Sequence, residues 1–359
     1  MKNKIIYVVA AGSGGHILPA LTLAKRWIEN THGGKVVFWG SNKAIDQKVI
    51  ANATFLSEFI GINLTGFSLK KIWSLPILIF WLIFAFFKCM YRCIKQRPEK
   101  IICTGGLIGI PTCLAGRLTG TSIEIYELNV VPGKAVKALM PIASKIYIAF
   151  EQTKKYCTFL GINLSYKCEL TNYPIRFSEQ DRLPQDKNKI IEQINKDNVA
   201  TKAFSSDRKT IFILGGSQGS VMLNECFKEF LKYQPNIHGQ VQVVHQIGNR
   251  EIETYRAMYQ SLYVPAIIFA YNEDLKNLYQ LSDLIICRAG AGTIFEVEFF
   301  KKPCIVIPLV AATTSHQVQN AQAIAQKHPT LFTMIDQAAL AANNKILCDE
   351  IINKLGLNN

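Results

Sequence analysis

A histidine closing a glycine-rich turn is the first sign of chemistry in this 359-residue chain. Residues Val8-Val9-Ala10-Ala11-Gly12-Ser13-Gly14-Gly15-His16-Ile17-Leu18-Pro19 run from an apolar strand through three glycines to an imidazole. Glycines let backbone N–H groups approach a bulky anion closely, and a helix starting near Ile17 aims the positive end of its dipole at that anion. The order therefore points to chemistry beside a phosphate. Two common nucleotide motifs are excluded by spacing: a dinucleotide fingerprint needs glycine where Ile17 stands, and no Gly-Lys-Ser/Thr follows as in a P-loop. A plain strand-to-helix turn whose histidine caps or packs fits this single segment equally well.

Further loops of the same kind follow. Gly105-Gly106-Leu107-Ile108-Gly109-Ile110-Pro111 comes after the apolar run Ile101-Ile102-Cys103, and Gly215-Gly216-Ser217-Gln218-Gly219-Ser220 follows the run ending at Leu214. Two such loops at equivalent places suggest two anion sites. In Cys287-Arg288-Ala289-Gly290-Ala291-Gly292-Thr293-Ile294-Phe295-Glu296, small residues leave room for a nucleotide diphosphate. Glu296 has the chemistry to accept two ribose hydroxyls, as the acid of a dinucleotide site does, or merely to complement a helix dipole. Arg288 reads either as a phosphate partner or as an ordinary surface arginine. Downstream, Ser315-His316-Gln317-Val318-Gln319-Asn320 offers amides suited to sugar hydroxyls and equally to capping. No Asp-x-Asp holds a divalent metal, so neither metal nor cofactor is expected, and a departing diphosphate has to be met by helix N-termini, backbone N–H groups and arginine.

The elements that position these loops alternate. Apolar strand candidates at 5–9, 35–39, 100–103, 122–126 and 145–149 are separated by amphipathic stretches, and a second series at 210–214, 241–246, 266–270, 284–287 and 304–308 follows a polar interval from Ser178 to Lys209. This predicts an α/β protein with two similar parallel-sheet domains, 1–173 and 174–359, with ligands at the carboxyl ends of the strands. The start Met1-Lys2-Asn3-Lys4 before Ile5 loosely imitates a signal peptide, but the apolar run is short and enters the glycine loop, so it reads as a first strand. Ten cysteines without C-x-x-C read as reduced thiols of a cytosolic protein.

The net charge of +14 implies an anionic partner: nucleic acid, an acidic membrane surface or a phosphorylated substrate. One cluster of basic residues flanks the uncharged run 77–87, with Lys70 and Lys71 before it and Lys88, Arg92, Lys95 and Arg97 after. The run is too short to span a bilayer and reads as a buried helix or as an interfacial element whose aromatics enter lipid. No recognised nucleic-acid motif accompanies the charge, so a nucleic-acid module is disfavoured.

Taken together the loops resemble the MurG family, the undecaprenyl-diphospho-muramoylpentapeptide N-acetylglucosaminyltransferases of glycosyltransferase family 28. The matching stretches are Gly12 to His16 with Pro19, Gly105-Gly106 with Pro111, Glu127 to Gly133, Pro174-Ile175-Arg176, Gly215 to Gly219, His245 to Gly248, Arg288 to Glu296, and His316-Gln317 with Asn320-Ala321, in family order from residue 5 to about 325. The resemblance implies a GT-B fold, two Rossmann-like domains with a cleft between them. It also implies inverting transfer of N-acetylglucosamine from UDP-N-acetylglucosamine to the muramoyl 4-hydroxyl of lipid I, giving lipid II. By matching position it assigns Ser13, Gly14, Gly15 and Asn129 to the donor sugar and reaction centre. Arg176, Ser217, Asn272, Ala291, Gly292, Thr293, Ile294, Phe295 and Glu296 would hold UDP, and Gln317 the sugar. His16 becomes the general base or a clamp on the acceptor's diphosphate. The segment 70–97 becomes a patch contacting an anionic membrane, and the expected location is the cytoplasmic face of the bacterial inner membrane.

The pattern departs from the family in four places. Tyr126 and Leu128 stand where His and Gln are usual, Asn172-Tyr173 replaces Gly-Asn, Gly292 replaces a bulkier residue, and no closing helix back across the first domain is evident after Asn344. Two other readings stay open, a related GT-B transferase with another lipid acceptor and a sugar-nucleotide-binding protein without turnover.

Overall fold

Alternation along β1 (Ile5–Ala10) sets the architecture of the first half: Tyr7 and Val9 enter one core cluster, Ile6, Val8 and Ala10 another, and all five are buried. A strand buried on both faces requires helices on both, the signature of a parallel sheet. The computed structural model describes residues 4–12, 14–63, 75–216, 219–248, 251–272, 274–310 and 316–357. By contacts it divides into Met1–Arg176 and Phe177–Asn359.

In the first unit β1 leads into α1 (Gly14–Thr31), then β2 (Lys35–Ser41), α2 (Ala44–Ala51), β3 (Glu58–Ile62), α3 (Leu75–Gln96) and β4 (Lys100–Gly105). The chain continues through α4 (Gly109–Leu118), β5 (Ser122–Glu127), α5 (Lys134–Leu139) and β6 (Lys145–Ile148). A small hairpin of β7 (Thr158–Phe159) and β8 (Ile162–Asn163) then precedes β9 (Cys168–Leu170). The main sheet has seven parallel strands in the order 3-2-1-4-5-6-9. Ile17, Ala20 and Ala24 of α1 and Ile50 of α2 cover one face, and α3, α4 and α5 cover the other.

The second unit begins with α6 (Glu179–Arg182) and α7 (Lys187–Lys196), then alternates β10 (Lys209–Leu214), α8 (Val221–Tyr233), β11 (Val241–Gln246), α9 (Ile252–Ser261), β12 (Ala266–Phe269) and α10 (Lys276–Leu281). It finishes with β13 (Leu284–Cys287), α11 (Ala291–Phe300), β14 (Cys304–Val306), α12 (His316–Lys327), β15 (Phe332–Met334), α13 (Gln337–Ala342) and α14 (Lys345–Leu355). Six parallel strands run in the order 12-11-10-13-14-15. Ile211 and Ile213 pack with Leu347, Ile351 and Leu355 of α14 on one face, whereas Phe212 meets Tyr279 of α10 on the other at 5.5 Å between ring centroids.

Strand order reverses between β1 and β4 in one sheet and between β10 and β13 in the other. Such switch points leave a crevice at the carboxyl ends where ligands bind, and the glycine-rich segments all follow those four strands. Three details differ from the sequence reading. α1 starts at Gly14, so Gly14, Gly15 and His16 form its first turn instead of a loop before it. The polar interval from Ser178 to Lys209 contains α7, whose Ile190, Ile191 and Ile194 are buried. β3, β9 and β15 were not anticipated; all are short and each lies at a sheet edge. All ten cysteines are free thiols, eight of them buried.

Candidate functional site

At the first switch point His16 is held by β4. Its Nδ1 lies 2.8 Å from the Thr104 carbonyl oxygen, and the Thr104 hydroxyl donates back to the His16 carbonyl at 2.8 Å. A carbonyl only accepts, so Nδ1 carries the proton of the neutral ring and Nε2 is its basic nitrogen. Gly105 has φ +126°, and a Cβ there would stand 2.8 Å from the imidazole; one on Gly106 would stand 2.6 Å from the Ala11 carbonyl oxygen. Both glycines are thus dictated by close approach of the two loops. The first-turn amides of α1 at Gly14 and Gly15 put a helix N-terminus, backbone of the kind suited to an anion, beside the histidine.

The adjacent strand β5 supplies Glu127, a buried carboxylate. Its Oε1 accepts from the Asn129 backbone N–H at 2.9 Å and from Asn129 Nδ2 at 3.2 Å, while Oε2 accepts from the Gly133 N–H at 3.1 Å. These bonds fold the loop over its own acid and orient the Asn129 amide; the Thr153 hydroxyl holds the Asn129 carbonyl at 3.1 Å. Burial pushes the Glu127 carboxyl up to about 7 despite those donors. Leu128, in place of the family's usual amide, is buried, and Tyr126 stacks on Tyr147 at 4.6 Å.

The second unit builds its switch point from β10, β11 and β13. A Cβ on Gly219 would collide with the Ile247 carbonyl oxygen at 2.1 Å, and one on Gly215 would stand 2.6 Å from the Ser220 amide nitrogen. Ser220 caps α8 by accepting from the Leu223 N–H at 3.4 Å. Asn224 donates to the Ile247 carbonyl at 3.2 Å and pairs with His245 Nε2 at 3.1 Å; His245 Nδ1 meets the Tyr259 hydroxyl at 2.9 Å. His245 is fully buried, and burial depresses its pKa to about 3, so it is a neutral brace of the loop. Arg288 is not the surface arginine that was one of its sequence readings. Its guanidinium is buried and donates to Ser220 Oγ at 3.0 Å, the Ile307 carbonyl at 3.2 Å and Gln337 Oε1 at 2.9 Å, tying the end of β13 to α8 and α13.

Gly290 caps α11, whose opening turns contain Ala291 to Glu296. Ile294 and Phe295 are buried, and the Ile294 N–H already donates to the Gly290 carbonyl at 3.2 Å; Gly292, Thr293 and Glu296 are half-buried. The Tyr279 hydroxyl donates to Glu296 Oε2 at 2.8 Å. Asn272 is exposed after β12, its Oδ1 accepting from the Asp274 N–H at 2.9 Å. Gln317, in the first turn of α12, accepts from the Leu309 N–H at 3.0 Å, and Asn320 donates to the Ala289 carbonyl at 3.2 Å. Arg176 is half-buried and directly precedes the second unit. Ser13 and Ser217 lie outside the described residues, as do Lys70 and Lys71. The sequence reading left three of these residues unassigned: Thr104 and Tyr279, whose partners His16 and Glu296 are distant in the chain, and Glu127, whose partners Asn129 and Gly133 belong to its own loop. Among the described residues no group of three or more His, Cys, Asp or Glu is arranged to hold a metal ion.

α3 is a 22-residue helix, longer than the uncharged run inside it and long and apolar enough by length and composition to cross a membrane. Leu78, Ala85, Cys89 and Cys93 pack into the core, and Arg92 pairs with Glu58 of β3 at 2.6 Å. A helix so anchored lies along its own sheet. Its other face leaves Ile77, Phe80, Ile83, Phe84, Phe87 and Tyr91 exposed, so the buried-helix reading is only half right. Exposure of contiguous large apolar side chains marks an interaction surface.

Residues 6–148 match the glycosyltransferase family 28 N-terminal domain, and residues 210–344 match the family 28 C-terminal domain. The UDP-N-acetylglucosamine–N-acetylmuramyl-(pentapeptide) pyrophosphoryl-undecaprenol N-acetylglucosamine transferase of Thermodesulfovibrio yellowstonii is 31% identical over 319 residues, covering 88% of this chain and 81% of its own. The Myxococcus xanthus protein of the same description is 28% identical over 319 residues, covering 89% and 77%. The crystal structure of Acinetobacter baumannii MurG superimposes with a TM-score of 0.70 at 23% identity, covering 98% of this chain and 91% of that one. A UDP-N-acetylglucosamine 2-epimerase structure from Listeria monocytogenes reaches 0.63 at 11% identity. The fold, two Rossmann-like domains of the GT-B kind, is therefore shared by enzymes of different reaction type, and the reaction has to be argued from residues.

Proposed function

The chain belongs to glycosyltransferase family 28, and from that premise we propose that it is an N-acetylglucosaminyltransferase that uses UDP-N-acetylglucosamine. It moves the sugar to the muramoyl 4-hydroxyl of lipid I, forms lipid II for peptidoglycan and inverts the anomeric configuration. The observation that carries this reading is the match, over most of both chains, to relatives described by that one activity. The two loop systems give it a physical basis.

His16 is the general base of the reaction. With Nδ1–H committed to the Thr104 carbonyl, Nε2 takes the acceptor proton as the hydroxyl oxygen forms its bond to the anomeric carbon and the bond to UDP breaks. The Glu127-organised loop presents Asn129 toward the donor sugar, and the α1 terminus receives the acceptor's diphosphate. In the second unit Arg176, Asn272, Ser217 and the start of α11 hold UDP, Glu296 takes the ribose hydroxyls and Gln317 the sugar. Charge developing on the diphosphate is met by backbone N–H groups and arginine.

The exposed face of α3, flanked by Lys88, Lys95 and Arg97, supports peripheral attachment to an anionic bilayer at the cytoplasmic face, where a lipid acceptor is presented. Incubation of the purified protein with labelled UDP-N-acetylglucosamine and lipid I tests the proposal: labelled lipid II is expected, and label on a polyprenol phosphate or diacylglycerol but never on lipid I refutes it.

A further inference from the structure

We propose that Tyr279 is a positioning residue that fixes the Glu296 carboxylate for the ribose, and so sets the protein's preference for ribonucleotide over deoxyribonucleotide donors. The inference rests on the reading of Glu296 as the acid that accepts the ribose hydroxyls.

Tyr279 lies in α10, on neither glycine-rich loop, and is fully buried. Its hydroxyl donates to Glu296 Oε2 at 2.8 Å. The ring is clamped: it stacks nearly parallel on Phe300, with centroids 4.9 Å apart and planes at 9°, and meets Phe212 and Phe177 edge-on at 5.5 and 5.9 Å. Glu296 and Phe300 are four residues apart on α11 and therefore share a helix face. One tyrosine thus grips that face twice, through its ring and through its hydroxyl. A glutamate side chain has several rotatable bonds to freeze before it can accept two vicinal hydroxyls. A donor on a clamped ring freezes them beforehand, and hydrogen bonds to charged groups are among the stronger ones. Phe177 immediately follows Arg176, so the same aromatic cluster anchors the segment expected to reach the diphosphate.

The test is a double-mutant cycle read on the ratio of dissociation constants for 2′-deoxy-UDP and UDP. The wild type is expected to prefer UDP by roughly tenfold or more, the scale of one hydrogen bond to a charged group. Tyr279→Phe, which keeps the ring and its packing, is expected to cut that ratio at least threefold, by weakening UDP while leaving 2′-deoxy-UDP within about twofold. Glu296→Ala is expected to bring the ratio close to unity, and adding Tyr279→Phe to it to change nothing more. An unchanged ratio in Tyr279→Phe, or equal weakening of both nucleotides, with the ratio collapsed in Glu296→Ala, overturns the role of Tyr279 and leaves the ribose reading standing. A ratio unmoved in Glu296→Ala overturns the ribose reading and the proposal with it.

Discussion

His16 is where the account is most exposed at the scale of single residues. The imidazole is oriented by one carbonyl and pressed against one glycine, so two substitutions address it separately. His16→Ala is expected to lower kcat by roughly 10²- to 10⁴-fold, the usual contribution of a positioned base, while UDP affinity stays within about twofold. Near-normal turnover in that variant would mean the histidine only clamps the diphosphate. Gly105→Ala is expected to reduce kcat as well, because the added methyl displaces the ring and strains a backbone at φ +126°. Glu127 makes a prediction about pH. Its folded pKa of about 7 lies above the ordinary 4.5, so the native state binds more protons between those values and stability falls as pH rises through that window, by on the order of 3 kcal/mol. Thermal unfolding followed from pH 5 to pH 8 should show that fall, and Glu127→Gln should flatten it. His16 was legible in the sequence because glycines and histidine stand together in it. The roles of Thr104 and Tyr279 were not, since each is defined by a partner brought in by tertiary packing, and Glu127 was not because its burial over a locally bonded loop is a tertiary property. Arg288 was misread because sequence cannot say that the end of β13 turns inward toward Ser220 and Gln337.

Among the elements, α3 is the one whose outward face is as apolar as its inward one. Leu78, Ala85, Cys89 and Cys93, with Trp81 and Phe86 beside them, pack into the core, and Phe80, Ile83, Phe84 and Phe87 face outward. Lys88 lies over the Phe84 ring at 5.6 Å and Lys95 over Tyr91 at 6.0 Å, so cations border the apolar stripe where headgroups would meet it. Each such aromatic contributes roughly 1.5–3 kcal/mol when fully buried. Phe80→Asp with Phe84→Asp and Phe87→Asp should therefore reduce co-sedimentation with phosphatidylglycerol vesicles at least tenfold, with the unfolding midpoint hardly moved because all three are exposed. Undiminished sedimentation would remove α3 from the membrane contact. Ten of the strands were legible from their apolar runs, eight of them buried on both faces and β5 and β6 at alternate residues. β3, β9 and β15 were not: they are short edge strands, and Glu58 and Gly61 interrupt the apolar pattern of β3. α1 was expected to begin near Ile17, but two glycines that weaken a helix interior are tolerated in its first turn, where anion binding needs bare backbone.

For the molecule as a whole, two sheets of the same construction place their chemistry-bearing loops at corresponding switch points, which is why alternation and glycine spacing sufficed to read the fold class. The charge of +14 was legible as a demand for anions but not as a choice among them; exposed apolar residues beside the lysines of α3 are what support the proposed membrane surface. The two units also carry buried groups of opposite pH response. His245, depressed to about 3 from 6.5, makes the second unit lose stability as pH falls through that window, whereas Glu127 makes the first lose it as pH rises toward 7. Calorimetry of the wild type is expected to resolve transitions that shift in opposite senses between pH 4.5 and 7, and His245→Phe should remove the acid sensitivity of one. The central claim is that the reaction is N-acetylglucosaminyl transfer to lipid I. It is tested most directly by supplying the purified protein with UDP-N-acetylglucosamine labelled in the sugar and lipid I in anionic vesicles, then analysing the lipid product. One labelled N-acetylglucosamine β-linked to the muramoyl 4-hydroxyl is expected for each UDP released, formed roughly 10²- to 10⁴-fold more slowly by His16→Ala; nucleotide binding without transfer, or transfer only to some other lipid, would contradict it.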